Sequence, residues 1–216
     1  MSQHGRTLAI LTFGVMVAVS GLALTRQVIA VAGEADAERL HRAILEYVAQ
    51  KNPSAPIAAF RGFPETLLIE SQRSHLDHCL ALAQAEVESE FRHDAVGAAG
   101  EIGLFQILPA TAALFEPQLG PFRRPQLSRA SRYLGDLADP VVSTRFAMAY
   151  LRDIMTRKPT IREALTEYNG GPSGRHPQYY RMVMGAYFEV LEHTPLRCRF
   201  RETAKQPLQL MFLPRA

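Results

Sequence analysis

The sequence predicts a mostly α-helical protein, and three observations support this fold class. Apolar residues recur every three or four positions in several long segments, which is the spacing of one helix face. Convincing alternation of apolar and polar residues, the pattern of half-buried strands, is not found in the sequence. Hydrophobic residues make up 47% and charged residues 21% of the 216 residues, which is typical of one globular domain with additions.

The first amphipathic helix is predicted over residues 35–50. Leu40, Ile44 and Val48 fall on one stripe of this helix, and the stripe must be buried against something. An Asn-Pro pair ends the helix, and a proline-containing stretch follows. Residues 33–69 are therefore predicted to form a helical annex and a connector.

Residues 65–91 continue the helical spacing, in two pieces that break near Ser74. Ser74 is the predicted N-cap of the second piece, because a serine hydroxyl can accept a hydrogen bond from the first free backbone N–H groups. The apolar stripe of the second piece contains Leu76, Leu80, Ala83, Val87 and Phe91. Glu88 lies next to this stripe, so we expect it at the edge of the core.

A short helix is predicted to begin at Pro109, since proline is tolerated in a first turn. A long polar connection follows over residues 116–137. Asp139 is the predicted cap of a helix that runs to about Arg157. Its predicted inner face contains Phe146, Ala149, Tyr150 and Ile154.

The last two helices are predicted over residues 161–168 and 178–192. The segment between them, residues 169–174, contains three glycines and a proline and is predicted to be a loop. The predicted inner face of the final helix contains Tyr180, Met184 and either Tyr187 or Phe188.

Glu88 is the candidate catalytic side chain. It leaves the end of an apolar helix and faces a glycine-rich turn. Burial at such a place raises the pKa of a carboxyl group, and general acid chemistry near neutral pH needs a carboxyl that stays protonated. Glu86 and Glu90 are two positions away and point to other sides of the helix.

The N-terminal segment, residues 1–32, predicts export. Residues 8–25 carry no charge and lie between Arg6 and Arg26. The small-residue pattern that ends at Ala32 fits a signal peptide cleaved there, whereas the long apolar core favours an uncleaved membrane anchor. Either reading predicts a periplasmic location. The C-terminal tail, residues 194–216, is basic and partly apolar.

The charge and cysteine content exclude some function classes. The net charge of +3 falls to +1 without Arg6 and Arg26, so the sequence shows no nucleic-acid-binding footprint. Export permits a disulfide between Cys79 and Cys198, and two unpaired thiols are the alternative. His75 and His78 share one side of a helix, but the sequence offers no further ligand pair for a metal.

Three motifs occur in order along the chain: Glu88-Ser89-x-Phe91, then Gly100-x-x-Gly103-Leu104-Phe105-Gln106-x-x-Pro109-x-Thr111-Ala112, then Glu167-Tyr168-Asn169-x-Gly171. They resemble the ES-x-F, GA-x-GLMQ-x-MP-x-TA and AYN-x-G motifs of the soluble, lysozyme-like lytic transglycosylases (the SLT domain). The resemblance covers about residues 70–192. It implies a lysozyme-like domain over residues 70–193.

The resemblance also implies an activity. These enzymes cleave the β-1,4 bond between N-acetylmuramic acid and N-acetylglucosamine in peptidoglycan and leave a 1,6-anhydro end. Glu88 would act first as acid and then as base, without a cofactor or metal. Ser89, Gln106, Tyr168 and Asn169 would bind the substrate. The alternatives from the residues themselves are helix capping, a buried amide, a core ring and loop fixation, respectively.

Several departures from the family pattern are visible. Phe105 and Leu108 stand where the pattern has methionine, and both keep apolar bulk. Gly97 stands where a serine is common, and Glu167 replaces a small residue. If Glu167 faced the cleft, it would add a second carboxylate, which keeps a hydrolytic muramidase open as an alternative. A non-catalytic, cell-wall-binding scaffold is the other alternative. Small transglycosylases of conjugation, pilus and secretion systems are similar in size, so such machinery is a candidate partner besides peptidoglycan.

Overall fold

Helices make up most of the part of the chain that the structure describes. The computed structural model describes residues 34–127, 132–174 and 177–198. The mostly α-helical fold class is therefore confirmed. The predicted N-terminal segment and the tail beyond residue 198 lie outside the described residues. Within the described residues, no helix is both long enough and apolar enough to cross a membrane.

The helices follow the predicted segments closely. They are α1 (34–51), α2 (Phe63–Arg73), α3 (His78–Ser89), α4 (Pro109–Ala113), α5 (Glu116–Leu119), α6 (Pro140–Arg157), α7 (Ile161–Gly170) and α8 (Pro177–Glu192). Three short 3-10 helices lie at Ile57–Phe60, Asp136–Ala138 and Thr194–Leu196. The connection predicted after residue 116 contains α5 and two short antiparallel strands, β1 (Gln126–Leu127) and β2 (Arg132–Tyr133).

The chain divides into two units, Met1–Arg42 and Ala43–Ala216, and the boundary falls within α1. In the second unit, Ile44 and Val48 are fully buried, as their predicted stripe requires. Lys51 forms ion pairs with Glu86 of α3 and Glu189 of α8, at 2.8 Å and 2.7 Å. The last turn of α1 is thereby held on the two helices that position the site. Leu40 belongs to the first unit and is half-buried.

Helices α3 and α8 pack against each other and run in opposite directions. Near the start of α3, Tyr187 donates a 2.8 Å hydrogen bond to Asp77 Oδ2. At the same end, Cys79 forms a disulfide with Cys198, with 5.6 Å between the Cα atoms. The pairing that the sequence left open is therefore formed. Because the bond closes a loop of 119 residues, it restricts the unfolded chain strongly.

Two local predictions were wrong. The N-cap of α3 is Asp77, whose carboxylate accepts from Cys79 N–H, whereas Ser74 follows the end of α2 and is buried there. On α8, Tyr187 is buried, as one of the two predicted alternatives has it, but Tyr179 and Val183 are buried in place of the predicted Tyr180 and Met184, which are half-buried. The buried positions on α8 are Tyr179, Val183, Tyr187 and Val190.

Helix α6 carries one side of the core beneath the site. Asp139 caps it as predicted, accepting hydrogen bonds from the N–H groups of Val141 and Val142. Phe146 packs edge-to-face on Phe122, with ring centroids 5.0 Å apart. The buried cluster around them comprises Ile102, Ile107, Ala112, Phe115, Phe122, Leu137, Phe146 and Ala149.

Candidate active site

A cleft of about 670 Å³ brings together four of the five residues that the sequence predicts for the site. Glu88, Gln106, Tyr168 and Asn169 all line it. They come from the end of α3, from the loop between α3 and α4, and from the end of α7. The other lining residues are Gly97, Ala98, Glu101, Ile107, Leu108, Thr111, Tyr150, Gly170, Gly171 and Pro172.

Glu88 is held in the last turn of α3, where the chain turns sharply. Glu90 and Phe91, which follow this helix, both adopt left-handed backbone angles, with φ values of 52° and 56°. Such angles are costly for residues other than glycine and persist where the surroundings enforce them. Here Phe91 is fully buried and anchors the turn. The turn leaves Glu88 at the edge of the core, facing the cleft.

The surroundings of Glu88 raise its pKa into the neutral range. Burial raises the pKa of Glu88 to about 7, because the charged form loses its hydration. A 2.5 Å hydrogen bond from the Tyr179 hydroxyl to Oε1 lowers this pKa, and the negative charge of Glu101 raises it. Desolvation is the largest of these effects. A carboxyl group with this pKa can donate a proton and take one back near pH 7.

Ser89 is the predicted site residue that the structure does not bring into the cleft. It is buried, and its hydroxyl donates to Leu104 O at 2.8 Å and to Ala85 O at 3.2 Å. The bond to Leu104 ties the end of α3 to the loop that carries Gln106. In this geometry Ser89 positions Glu88 and the loop with respect to each other.

Gln106 is oriented by the loop in which it lies. Its side-chain Nε2 donates to Ala95 O at 3.2 Å and to Gly103 O at 2.9 Å. Gly103 itself requires glycine, since its φ is 81° and a Cβ atom would overlap the carbonyl oxygen of Leu137. With Nε2 occupied, Gln106 Oε1 is the atom that can accept a hydrogen bond from a substrate N–H or hydroxyl group.

Glu101 supplies the second carboxylate of the cleft. Its Oε2 accepts a 2.9 Å hydrogen bond from Ala99 N–H. A Cβ atom at Gly97 would overlap this oxygen and would lie 2.8 Å from Gln106 Oε1. The glycine at position 97 therefore provides the space that Glu101 and Gln106 occupy.

Aromatic rings form the side of the cleft that α6 and α7 contribute. Tyr168 is 8% exposed and donates a 3.0 Å hydrogen bond to Phe105 O, so its hydroxyl is engaged and its ring faces the cleft. The ring of Tyr150 packs beside it, at 5.2 Å between centroids. Asn169 is exposed at the rim. Such a wall can pack against a sugar ring.

Glu167 precedes Tyr168 but points away from the cleft. Its side chain is 2% exposed and pairs with Arg157 and, at 2.9 Å, with Lys158. Burial raises the pKa of Glu167, but the hydrogen bonds from these two cations outweigh it and hold that pKa below its usual value. Glu167 is thus a structural ion-pair partner and does not line the cleft.

Among the described residues, one group of three possible metal ligands lies close together: Asp77, His78 and Cys79. The sulfur of Cys79 is in the disulfide, and His78 Nε2 donates to Leu196 O at 2.8 Å. A disulfide sulfur is not a thiolate ligand, so this group lacks the donors of a zinc site.

Sequence reasoning missed Tyr179 and Glu101. Tyr179 is 91 positions from Glu88, and only the buried face of α8 brings the two together. The helical spacing of Tyr179, Val183 and Tyr187 could have indicated that Tyr179 lies on the buried face of α8. The adjacent Tyr180 and Met184 have the same kind of spacing, which favoured the wrong face. Glu101 falls inside the second motif, directly after Gly100, where the family pattern has alanine.

Several solved structures are similar to this chain, and two of them are lytic transglycosylases. One is lytic transglycosylase Slt from Pseudomonas aeruginosa, an inactive mutant, with 24% identity over 63% of this chain and a TM-score of 0.49. The other is the 70 kDa soluble lytic transglycosylase of Escherichia coli, with 18% identity over 69% of this chain and a TM-score of 0.48. This chain spans only 26% and 28% of their lengths. No curated protein sequence matches the chain.

A family model extends over more than half of the chain. It describes the transglycosylase SLT domain and matches residues 66–181. The matched range contains Glu88 and all the other residues that line the cleft. The resemblance of the three motifs is thereby confirmed, and the chain belongs to the transglycosylase SLT domain family.

Proposed function

We propose that the protein is a lytic transglycosylase that cleaves the MurNAc–GlcNAc β-1,4 bond of peptidoglycan and forms a 1,6-anhydro-MurNAc end. Family membership supports the reaction class. The observation that carries the proposal is that Glu88 is half-buried in the wall of the cleft, where desolvation raises its pKa to about 7. One group with this pKa can serve both proton transfers of the reaction.

In the first step, Glu88 donates its proton to the glycosidic oxygen while the bond from that oxygen to C1 of the muramic acid breaks. The leaving sugar departs with a neutral 4-hydroxyl group. Glu88 is now a carboxylate. The Tyr179 hydroxyl donates to Oε1 and stabilises this charge.

In the second step, the Glu88 carboxylate removes the proton from the C6 hydroxyl of the muramic acid. The C6 oxygen forms a bond to C1 and closes the anhydro ring, which restores the protonated carboxyl group. Because the nucleophile belongs to the substrate, this route needs no second carboxylate, unlike the usual two-carboxylate glycosidases. Orientation by the cleft supplies an entropic advantage. Gln106 Oε1 and the ring of Tyr168 are the groups available for it.

Product analysis tests the proposal. Purified full-length protein is incubated with peptidoglycan sacculi, and the released fragments are analysed by mass spectrometry. We expect anhydro-ended fragments, which are lighter by one water than reducing-ended fragments. Glu88→Gln should abolish release, whereas Glu90→Gln, the same change at an exposed acid outside the cleft lining, should preserve it. Release by Glu88→Gln at the native rate would contradict the enzymatic role.

Hydrolysis is the second candidate function, and one observation favours testing it. Glu101 places a second carboxylate in the cleft that holds Glu88, and a second carboxylate can activate water. Reducing ends among the products, which disappear in Glu101→Gln while anhydro ends remain, would assign hydrolysis to Glu101. A chain that binds sacculi without releasing fragments would be a cell-wall scaffold instead.

We also propose that the protein acts in the periplasm. The disulfide between Cys79 and Cys198 supports an oxidising compartment. Cell fractionation tests this location, and N-terminal sequencing of the recovered protein distinguishes a cleaved signal peptide, with Gly33 first, from an anchor that retains Met1. Association with a secretion, pilus or conjugation machine is a separate proposal. It rests on the similar size of the small transglycosylases of such machines, and co-purification with the components of such a machine tests it.

A further inference from the structure

Two consecutive residues directly after α3 have left-handed backbone angles. They are Glu90 and Phe91, and neither is glycine. Residues that carry a Cβ atom keep such angles only where the surrounding structure enforces them, because right-handed angles are otherwise preferred. Right-handed angles here would continue α3 and send the chain in another direction. The left-handed turn therefore directs the chain from Glu88 into the loop that supplies further residues of the cleft lining, Gln106 among them.

An amide that precedes the family domain holds this turn. Asn52 lies directly after α1 and is half-buried, and its Nδ2 donates a 3.3 Å hydrogen bond to Phe91 O. Its Oδ1 accepts a 3.0 Å hydrogen bond from Ser54 N–H, which determines the end of the amide that faces Phe91. The family model begins at residue 66, so this contact comes from a part of the chain that the model does not match.

Two ring contacts support the hydrogen bond from Asn52. The ring of Tyr47, on α1, packs edge-to-face on the ring of Phe91, with 6.0 Å between the centroids. The fully buried ring of Phe60, in the first 3-10 helix, packs in the same way on His93, also at 6.0 Å. The segment from Tyr47 to Phe60 therefore contacts two residues of the chain shortly after the acid.

The same segment also holds the last turn of α3. The Tyr47 hydroxyl donates a 2.6 Å hydrogen bond to Glu86 Oε2, and Lys51 Nζ lies 2.8 Å from Glu86 Oε1. Both oxygens of a carboxylate two residues before Glu88 are thus engaged by α1. Because one segment contacts the chain before and after Glu88, it restricts movement of the helix end relative to the turn that follows.

We propose that Asn52 is a positioning residue of the active site, and that residues 47–60 hold the left-handed turn that sets the cleft loop relative to Glu88. Asn52 does not line the cleft, so its effect on the reaction passes through the turn. Displacement of the loop that carries Gln106 by a fraction of an ångström can cost about tenfold or more in rate. The effect on turnover rests on the proposed function, but the turn can be measured without substrate.

Asn52→Asp is the discriminating variant. Aspartate is close to asparagine in shape and still accepts the hydrogen bond from Ser54 N–H, but its carboxylate has no donor for Phe91 O. In the full-length protein, well below the melting temperature of the variant, kcat for fragment release from peptidoglycan should fall about tenfold. Gln50→Ala is the matched control, because it removes an exposed amide from the last turn of α1, and it should keep the native kcat.

A glycine substitution in the turn separates positioning from a purely structural role. Glycine adopts left-handed angles without the steric penalty of a Cβ atom. Glu90→Gly should therefore restore part of the kcat that Asn52→Asp loses, since the turn then depends less on the bond from Asn52. The side chain of Glu90 is exposed and outside the cleft lining, so its removal takes no group from the site.

NMR measures the turn without turnover. The three-bond coupling between the amide and α protons reports the backbone angle φ of each residue. In Asn52→Asp the couplings of Glu90 and Phe91 should move away from their wild-type values, whereas in Gln50→Ala they should stay unchanged.

Native couplings in Asn52→Asp would overturn the role of Asn52, and so would a native kcat. A loss of kcat that is equal in Asn52→Asp with and without Glu90→Gly would also overturn it, because the loss would then not pass through the turn. The couplings can be measured even if sacculi are not cleaved. Absence of cleavage by the wild-type protein would contradict only the proposed function.

Discussion

The hydroxyl of Tyr179 and the carboxyl group of Glu88 lie 2.5 Å apart, although 91 residues separate them in the chain. The two residues occupy adjacent ends of antiparallel helices, with Glu88 in the last turn of α3 and Tyr179 in the first turn of α8. This single bond opposes the effect of burial on the carboxyl group. The balance between the two effects determines the pH range in which Glu88 can serve as an acid.

The half-buried Glu88 should cost the protein stability at alkaline pH. A carboxyl whose folded pKa exceeds its unfolded value stabilises the fold fully below the unfolded pKa, and this contribution is lost as pH rises through the folded pKa. For Glu88 that window runs from about 4.5 to about 7. Glu88→Gln should therefore exceed the wild type in free energy of unfolding by about 3 kcal/mol above pH 8, with little difference near pH 4.

Denaturant unfolding at about pH 4 and about pH 8.5, which lie below the unfolded and above the folded pKa of Glu88, measures this difference. Glu90→Gln is the control, because Glu90 is exposed. If Glu88→Gln increased the free energy of unfolding equally at both pH values, the raised pKa of Glu88 in the folded protein would be contradicted.

Glu101→Gln should move the activity profile of the enzyme to lower pH. The negative charge of Glu101 raises the pKa of Glu88, so its removal lowers that pKa, and Glu88 loses its proton earlier as pH rises. The basic limb of kcat/KM for peptidoglycan release is the measurement. Glu46→Gln, at an exposed position on α1, should leave the limb unchanged. A shift toward higher pH would contradict the electrostatic role of Glu101.

Gly97→Ala should reduce activity more than stability. The added methyl group would overlap the Glu101 carboxylate and crowd Gln106 Oε1, which moves both groups in the cleft. Displacement of a substrate-orienting group by a fraction of an ångström can cost about tenfold or more in rate. Thermal unfolding and fragment release should be compared with Gly185→Ala, a position on α8 where a Cβ atom meets nothing within 4 Å. Full activity in Gly97→Ala would show that the cleft tolerates the displacement.

Loss of the disulfide should destabilise the protein substantially. The entropic model gives about 4–5 kcal/mol for a loop as long as the one between Cys79 and Cys198. Cys198→Ser should lower the melting temperature, and a reductant should lower that of the wild type to a similar value. The same reductant should not affect Cys198→Ser any further. A wild-type protein whose melting temperature is insensitive to reduction would contradict this contribution.

Much of the helical fold could be predicted from the sequence, because the long helices carry apolar residues at helical spacing, although on α8 this spacing does not single out one face. The cap at Asp139 was also predictable, because an aspartate before a proline satisfies free N–H groups at a helix start. The two short strands were not, since two residues each are too few to show alternation. The disulfide could not be assigned, because it depends on a distance between segments that periodicity does not encode.

The candidate site was predictable where the residues fall within motifs, and less so elsewhere. The direction of Glu167 depends on the positions of Arg157 and Lys158 in the preceding turn, a tertiary effect. The contact of Tyr179 depends on which of two adjacent tyrosines faces α3. One residue of helical rotation, about 100°, decides that question, and the apolar content of α8 allows either answer.

The contacts between α3 and α8 have a consequence for motion. The disulfide and the bond from Tyr187 to Asp77 join the pair at one end, and the bond from Tyr179 to Glu88 joins it at the other. Neither helix can swing away about one terminus without breaking a covalent link or a hydrogen bond. A motion that separates α3 from α8 at the end that carries Glu88 must break the bond from Tyr179, so the same movement that opens this seam also raises the pKa of the acid.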